Sequence, residues 1–122
     1  RLNQFIDRVV SGDHVGAIAD FYHAGASMQE NLKPPRVGRD VLIEGERKAL
    51  ARVRAVITHR PEHVLLDGDT VVIHWLFDFT GHDGITRRLN ELALQQWDGD
   101  RIRREQFFYD TATAWQVVAP LT

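Results

Sequence analysis

The stretch from Thr70 to Tyr109 does most to limit what this chain can fold into. It holds three long runs rich in β-branched and aromatic residues, Thr70–Thr80, Ile85–Trp97 and Arg101–Tyr109. Only His82-Asp83-Gly84 and Asp98-Gly99-Asp100 separate them. Asp and Gly supply the turn conformations that let one strand fold straight back on the last, so the runs predict consecutive antiparallel strands. A further run, Ile57–Leu66, ends at Asp67-Gly68-Asp69 and adds a strand before them.

The first half has a different period. Leu2, Phe5, Ile6, Val9 and Val10 fall at i, i+3, i+4, i+7 and i+8, the apolar stripe of a helix. Ser11-Gly12 ends it, and Asp13 is placed to cap a second helix that buries Val15, Ile18, Ala19 and Tyr22 and stops before Gly25. Ala26–Leu32 suits a short strand. Pro34-Pro35 cannot continue regular structure, because proline lacks the N–H donor. Asp40 is expected to cap a third helix running to about Val56, with Gly45 a weak point within it. Three helices followed by an antiparallel meander define an α+β class: a curved, mostly antiparallel sheet wrapped around three helices, with a cavity at its open end.

At 122 residues the chain is expected to form one domain, 1–122. Its 15 Lys+Arg against 17 Asp+Glu give a net charge of −2, which offers no footing for nucleic acid or an anionic membrane. The absence of cysteine removes disulfides, thiol nucleophiles and thiolate metal sites, and it fits a reducing, cytoplasmic setting. No apolar run approaches the roughly 20 residues that span a bilayer. The chain opens at Arg1 with neither an initiator Met nor a signal-like segment, so a longer gene product is expected.

Strand geometry of period two turns hairpin register into a face assignment. With His82 opposite Ile85, Asp78 faces Leu89 and Leu76 faces Glu91. With Trp97 opposite Arg101, Ala93 faces Glu105. One face then carries His74, Leu76, Asp78, Glu91, Gln95, Trp97, Glu105, Phe107 and Tyr109, a mixture suited to a ligand pocket. The other carries Ile73, Trp75, Phe77, Phe79, Leu92, Leu94 and Phe108, an apolar surface that argues for a homodimer through Trp75, Phe77 and Phe79. A different reading of the same pattern puts Trp75, Phe77 and Phe79 under the helices as core, with Asp78 and Glu91 in water. His14, His23 and His82 are expected at the surface. His59 and His63 lie four apart in an extended segment, too far for easy co-ligation, so neither a metal nor another cofactor is called for.

The order of these parts resembles the nuclear transport factor 2-like superfamily, and its SnoaL-like branch in particular. The likeness rests on the helix ending Ser11-Gly12-Asp13, Phe21-Tyr22 before Ala26-Ser27-Met28, the Gly38-Arg39-Asp40 opening of the third helix, and Trp97-Asp98-Gly99-Asp100-Arg101-Ile102 followed by Glu105 and Asp110. The resemblance implies a cone-shaped fold, often dimeric, and a site inside the cone. Similarity to ketosteroid isomerases puts Glu30 at the general-base position. It also puts Phe5 and Ala93 where the two oxyanion donors belong, and neither can donate, which argues against steroid isomerisation. Similarity to limonene epoxide hydrolases selects Asp78 and Asp110 but puts Leu76 at the arginine position. Similarity to scytalone dehydratases selects His59.

The catalytic candidates are therefore Glu30, Asp78, His74 and His59, with Tyr22, Glu91, Trp97, Glu105, Phe107 and Tyr109 around the ligand. The expected function is binding of a small apolar carbonyl or polycyclic metabolite with cofactor-free acid/base isomerisation, cyclisation or dehydration. A non-catalytic ligand-binding or interaction module of the same fold stands as the alternative.

Overall fold

In the computed structural model, which describes residues 1–118, three helices pack against the inner face of an eight-stranded curved sheet. Helix α1 (Leu2–Val10) buries Phe5, Ile6 and Val9, the stripe read from the sequence. Gly12 follows at φ 94°, a conformation open to glycine because it has no Cβ. Asp13 caps α2 (His14–Phe21) by accepting from the Gly16 amide at 2.9 Å. The buried face of α2 is His14, Ala17, Ile18 and Phe21 rather than Val15 and Ala19, and Tyr22 already belongs to β1 (Tyr22–Glu30). After the two prolines, the short β2 (Arg36–Val37) pairs with β1.

Helix α3 (Arg39–Ala51) begins at Gly38 without a side-chain cap from Asp40, and it ends earlier than its composition predicts. Val53–Thr58 forms β3 instead, since β-branched Val53, Val56, Ile57 and Thr58 favour the pleated strand over the helix. Pro61 then separates β3 from β4 (Val64–Asp67), so the single strand expected at Ile57–Leu66 is two. The long meander follows as β5 (Thr70–Gly81), β6 (Thr86–Asp98) and β7 (Arg101–Phe108), and β8 (Gln116–Val117) pairs with the start of β6. Strand order is β2-β1-β7-β6-β5-β3, with only β1 and β7 parallel among the adjoining pairs of that path.

The β5–β6 turn decides which side chains face inward. It is one residue longer than a two-residue hairpin: Gly81 donates to the Ile85 carbonyl at 2.9 Å, and Asp83 Oδ1 accepts from the Ile85 amide at 2.9 Å. Gly84 closes the loop at φ 81°. Phe77 consequently lies opposite Leu89, and Asp78 opposite Arg88. That one-residue slip turns β5 over relative to the expected faces. Trp75, Phe77 and Phe79 do not form an outer dimer face but point under the helices, where the other reading of the pattern puts them; Trp75 is 2% exposed. His74, Leu76 and Asp78 take the outer face.

The β6–β7 hairpin differs from expectation too, yet it keeps its faces. Asp98 pairs with Arg101, and a bulge between Gln96 and Trp97 restores the parity. Gln95 lies opposite Glu105 and Ala93 opposite Phe107, all on the inner side. Phe5 closes the narrow end, with its ring edge-on to Phe21, Tyr22 and Trp97 at 5.6–6.1 Å. No described helix is long and apolar enough to cross a membrane.

Candidate functional site

Between the helices and the inner face of the sheet lies a cavity of about 590 Å³. Trp75, Phe77 and Phe79 of β5 form one wall, Phe107 and Tyr109 another, and α2 and α3 the roof. Four carboxyl groups enter this mostly apolar space: Glu30, Glu46, Glu91 and Glu105.

Glu105 sits deepest, with 1% of its surface exposed. Its two oxygens are both taken, one by the Tyr22 hydroxyl and the other by Gln95 Nε2 at 2.6 Å. The direction of this chain is fixed from its far end. The Trp97 indole can only donate, and it gives its N–H to Gln95 Oε1 at 2.9 Å. The Gln95 amide group must then donate onward to Glu105. Complete burial pushes the Glu105 carboxyl up to about 7, against the hydrogen bonds from Gln95 and Tyr22 that favour its charged form. Burial and the neighbouring Glu105 charge hold the Tyr22 phenol well above its usual pKa, so it remains a donor.

Glu91, two strand positions from Ala93 and opposite Trp75, is 6% exposed. Its carboxyl has no hydrogen-bond or ion-pair partner among the described residues, while no fully enclosed side-chain oxygen goes unpaired; its oxygens therefore open onto the cavity. Burial drives it up to about 8, and the Glu105, Glu30 and Glu46 carboxyls push the same way. Glu30, at the end of β1, accepts from the Tyr109 hydroxyl at 3.4 Å nearer the mouth. Burial and the Glu30 charge both raise the Tyr109 pKa.

Across the cavity, His14 Nε2 meets Thr58 Oγ1 at 2.9 Å, and His14 Nδ1 lies 3.4 Å from Glu46. Its ring also meets Phe77 edge-on at 5.6 Å. His14, expected at the surface, is instead buried at 8% exposure, and Glu46 was not singled out, although each carries a signal. His14 falls three, four and seven residues before Ala17, Ile18 and Phe21, on the buried stripe of α2. Glu46 lies four residues after buried Leu42 and four before Leu50, on the inward stripe of α3. A polar residue inside an apolar stripe is the pattern that marks a pocket group.

The remaining candidates are dispersed. Tyr22, Glu30, Glu91, Glu105, Phe107 and Tyr109 line the cavity, and Trp97 supports it from behind through Gln95. Asp78, His59 and His74 do not line it. Asp78 binds Arg88 through two hydrogen bonds of 2.8 and 3.0 Å and His59 at 2.7 Å, on the outer side. The Arg88 hydrogen bonds, helped by His59, pull its carboxyl down to about 2. His74 Nε2 contacts Asn90 Oδ1 at 2.6 Å and stacks on His63, also outside. Asp110 accepts from the Ala112 amide and shapes the turn after β7. No group of three or more metal-ligating side chains assembles among the described residues.

A family model described as a SnoaL-like domain matches residues 2–109. The chain belongs to the SnoaL-like family. Comparison with curated proteins finds no match. Solved structures with the same fold include a protein from Mesorhizobium loti provisionally named a SnoaL-like polyketide cyclase, at 19% identity and a TM-score of 0.72, covering 88% of this chain and 94% of that one. A provisional polyketide cyclase from Xanthomonas campestris gives 16% identity and a TM-score of 0.78, over 91% and 88% of the two chains. An LEH-like epoxide hydrolase from M. tuberculosis gives 11% identity and a TM-score of 0.74, over 93% and 82%. These likenesses establish the fold; the chemistry of this SnoaL-like chain has to be argued from its own cavity. That cavity offers two carboxyls that change protonation near neutral pH, one held by donors and one free to meet a ligand.

Proposed function

We propose that the cavity binds a small, largely apolar carbonyl or polycyclic metabolite and exchanges protons with it without a cofactor. The observation that carries this is Glu91: a buried carboxyl facing the cavity with no partner among the described residues, where burial raises its pKa to about 8. A neutral carboxylic acid in an apolar site donates well to a carbonyl oxygen, and a pKa near the working pH suits proton transfer. Glu30, beside Tyr109, supplies the second carboxyl. In this reading the Glu30 carboxylate takes a proton from the carbon next to the carbonyl while Glu91 gives one to the oxygen, leaving an enol. Glu105, tied at both oxygens, holds the floor. The polyketide-cyclase names of the Mesorhizobium and Xanthomonas structures agree with this class of ligand.

The test is hydrogen–deuterium exchange at the carbon next to the carbonyl in tetralones and steroid ketones, followed by NMR, alongside thermal shift. Exchange that falls at least tenfold in Glu91→Gln and in Glu30→Gln is expected. Stabilisation by these compounds without exchange leaves a binding module, and no stabilisation by any of them removes the small-ligand reading.

We also propose that two copies pair across the outer sheet face, although through different residues from those expected. Leu65, Val72 and Leu94 lie side by side there, next to Leu92 and Phe108. Leu65 is 66%, Leu92 45% and Phe108 38% exposed, an apolar band across four strands that a partner would cover.

A further inference from the structure

The cavity has an imbalance of charge that a neutral ketone leaves unanswered. Glu30, Glu46, Glu91 and Glu105 all reach into it. Its cationic side chains, Arg36, Lys48 and Arg52, belong to exposed residues at the rim, where water screens them. His14 is the one imidazole on the wall among the described residues, and both of its ring nitrogens are engaged, by Thr58 and Glu46. Glu105 is satisfied by Tyr22 and Gln95. Glu91 is not satisfied: it is more than nine-tenths buried, has no partner among the described residues and opens into the space. Beside it stands an aromatic wall, with Trp75 stacked on Phe77 at 5.5 Å and Phe77 against Phe79 at 6.0 Å.

Aromatic faces next to an unpaired carboxyl are the surroundings that favour an organic cation. The ring quadrupoles attract positive charge, most strongly where water is excluded, and the carboxylates supply the counter-charge. We infer that the ligand of this cavity carries a protonated or quaternary amine, seated against Trp75 and Phe77 within reach of Glu91, Glu30 and Glu46. The inference rests on the cavity-binding reading above and not on its proton-transfer step: it adds a charge to the ligand and makes Glu91 a counter-ion rather than an acid. An anionic ligand is disfavoured by the same four carboxyls. The apolar walls keep the requirement that the rest of the molecule be largely hydrocarbon.

A cation at this position also changes the state of Glu91. The hydroxyls of Tyr22 on β1 and Tyr109 after β7 face that carboxyl, and so do three acids: Glu105 on β7, Glu30 on β1 and Glu46 on α3. All three hold its proton on, and a bound ammonium works against them. Binding of a fixed cation near neutral pH is thus coupled to proton release, whereas binding of a neutral molecule is not.

The experiment compares benzyltrimethylammonium with its uncharged carbon isostere, neopentylbenzene, by calorimetry at pH 7 in buffers of differing ionisation enthalpy. The cation is expected to bind at least tenfold more tightly and to release a measurable fraction of a proton. Glu91→Gln is expected to remove the larger part of that release, leaving only the share of Glu105, and most of the preference, while keeping affinity for neopentylbenzene, which reports an intact cavity. Should Glu91→Gln fail to fold, Glu30→Gln is expected to weaken the preference for the cation with neopentylbenzene unaffected. Equal or tighter binding of neopentylbenzene to the wild type overturns the amine inference and leaves the apolar cavity standing. Binding of neither compound removes the cavity reading and this inference together.

Discussion

At the scale of single residues, two carboxyls on adjacent strands show how environment divides one chemistry into two. Asp78 accepts from Arg88 and His59 and is pulled down to about 2, so it is ionised throughout the physiological range. Glu91, buried among carboxyls, is pushed up to about 8. For Glu91 the folded state holds the proton more tightly than the unfolded chain, so stability is lost as pH rises from about 4.5 towards 8. Glu91→Gln removes the titration while keeping the shape. It is expected to stabilise the fold by about 2–4 kcal/mol at pH 8 and by close to nothing at pH 4. Urea unfolding of both proteins across that range checks this, and a difference independent of pH would show that Glu91 titrates normally. Composition could not separate the two carboxyls, since each is an acid inside an apolar strand. Their partners settle the matter, and Arg88 reaches Asp78 only through the cross-strand register.

At the scale of elements, α1, the Asp13 cap and the three long strands were legible because their signals are local: a period, a capping residue and Asp-Gly turns. The end of α3 was not. Val53, Arg54, Ala55 and Val56 are compatible with a helix, and their pairing with β5 decides for strand. The hairpin register was the consequential case. One extra residue in the Gly81–Ile85 turn, fixed by Asp83 and Gly84, reverses every side chain of β5 and moves Trp75, Phe77 and Phe79 from an expected surface to the cavity wall. The site inherited that uncertainty: the β6 and β7 candidates face the cavity, and the β5 candidates do not. The assignment has an energetic signature. Trp75→Ala is expected to cost about 3–5 kcal/mol, as truncation of a buried aromatic does, and to abolish ligand binding. Leu92→Ala, on the outer face, is expected to cost under about 1 kcal/mol in the monomer. Denaturation midpoints that reversed this order would mean the two faces of the sheet are exchanged.

At the scale of the whole molecule, the curvature that makes a cavity on one side of the sheet leaves its other side uncovered. The helices occupy the concave face, and the outward positions of β4 to β7 carry Leu65, Val72, Leu92, Leu94 and Phe108 with no element of the described chain above them. The two faces differ in their polar residues as well. Inside, Glu91 has no counter-ion among the described residues; outside, Asp78, Arg88 and His59 pair with one another, beside the apolar band. Covering ions that are already paired with one another costs less than covering unpaired ones, because no lone charge is stranded. Light scattering at micromolar concentration is accordingly expected to give twice the mass of one chain. Phe108→Asp together with Leu92→Asp, which place a charge in the middle of the band, should return it to a monomer. Those substitutions lie on the outer face, so the monomer should retain its affinity for a cavity ligand. Loss of that affinity on dissociation would instead mean that the second copy helps to hold the strands around Glu91 in place. A wild-type monomer would leave the outer face to some other covering and take the second copy out of the account.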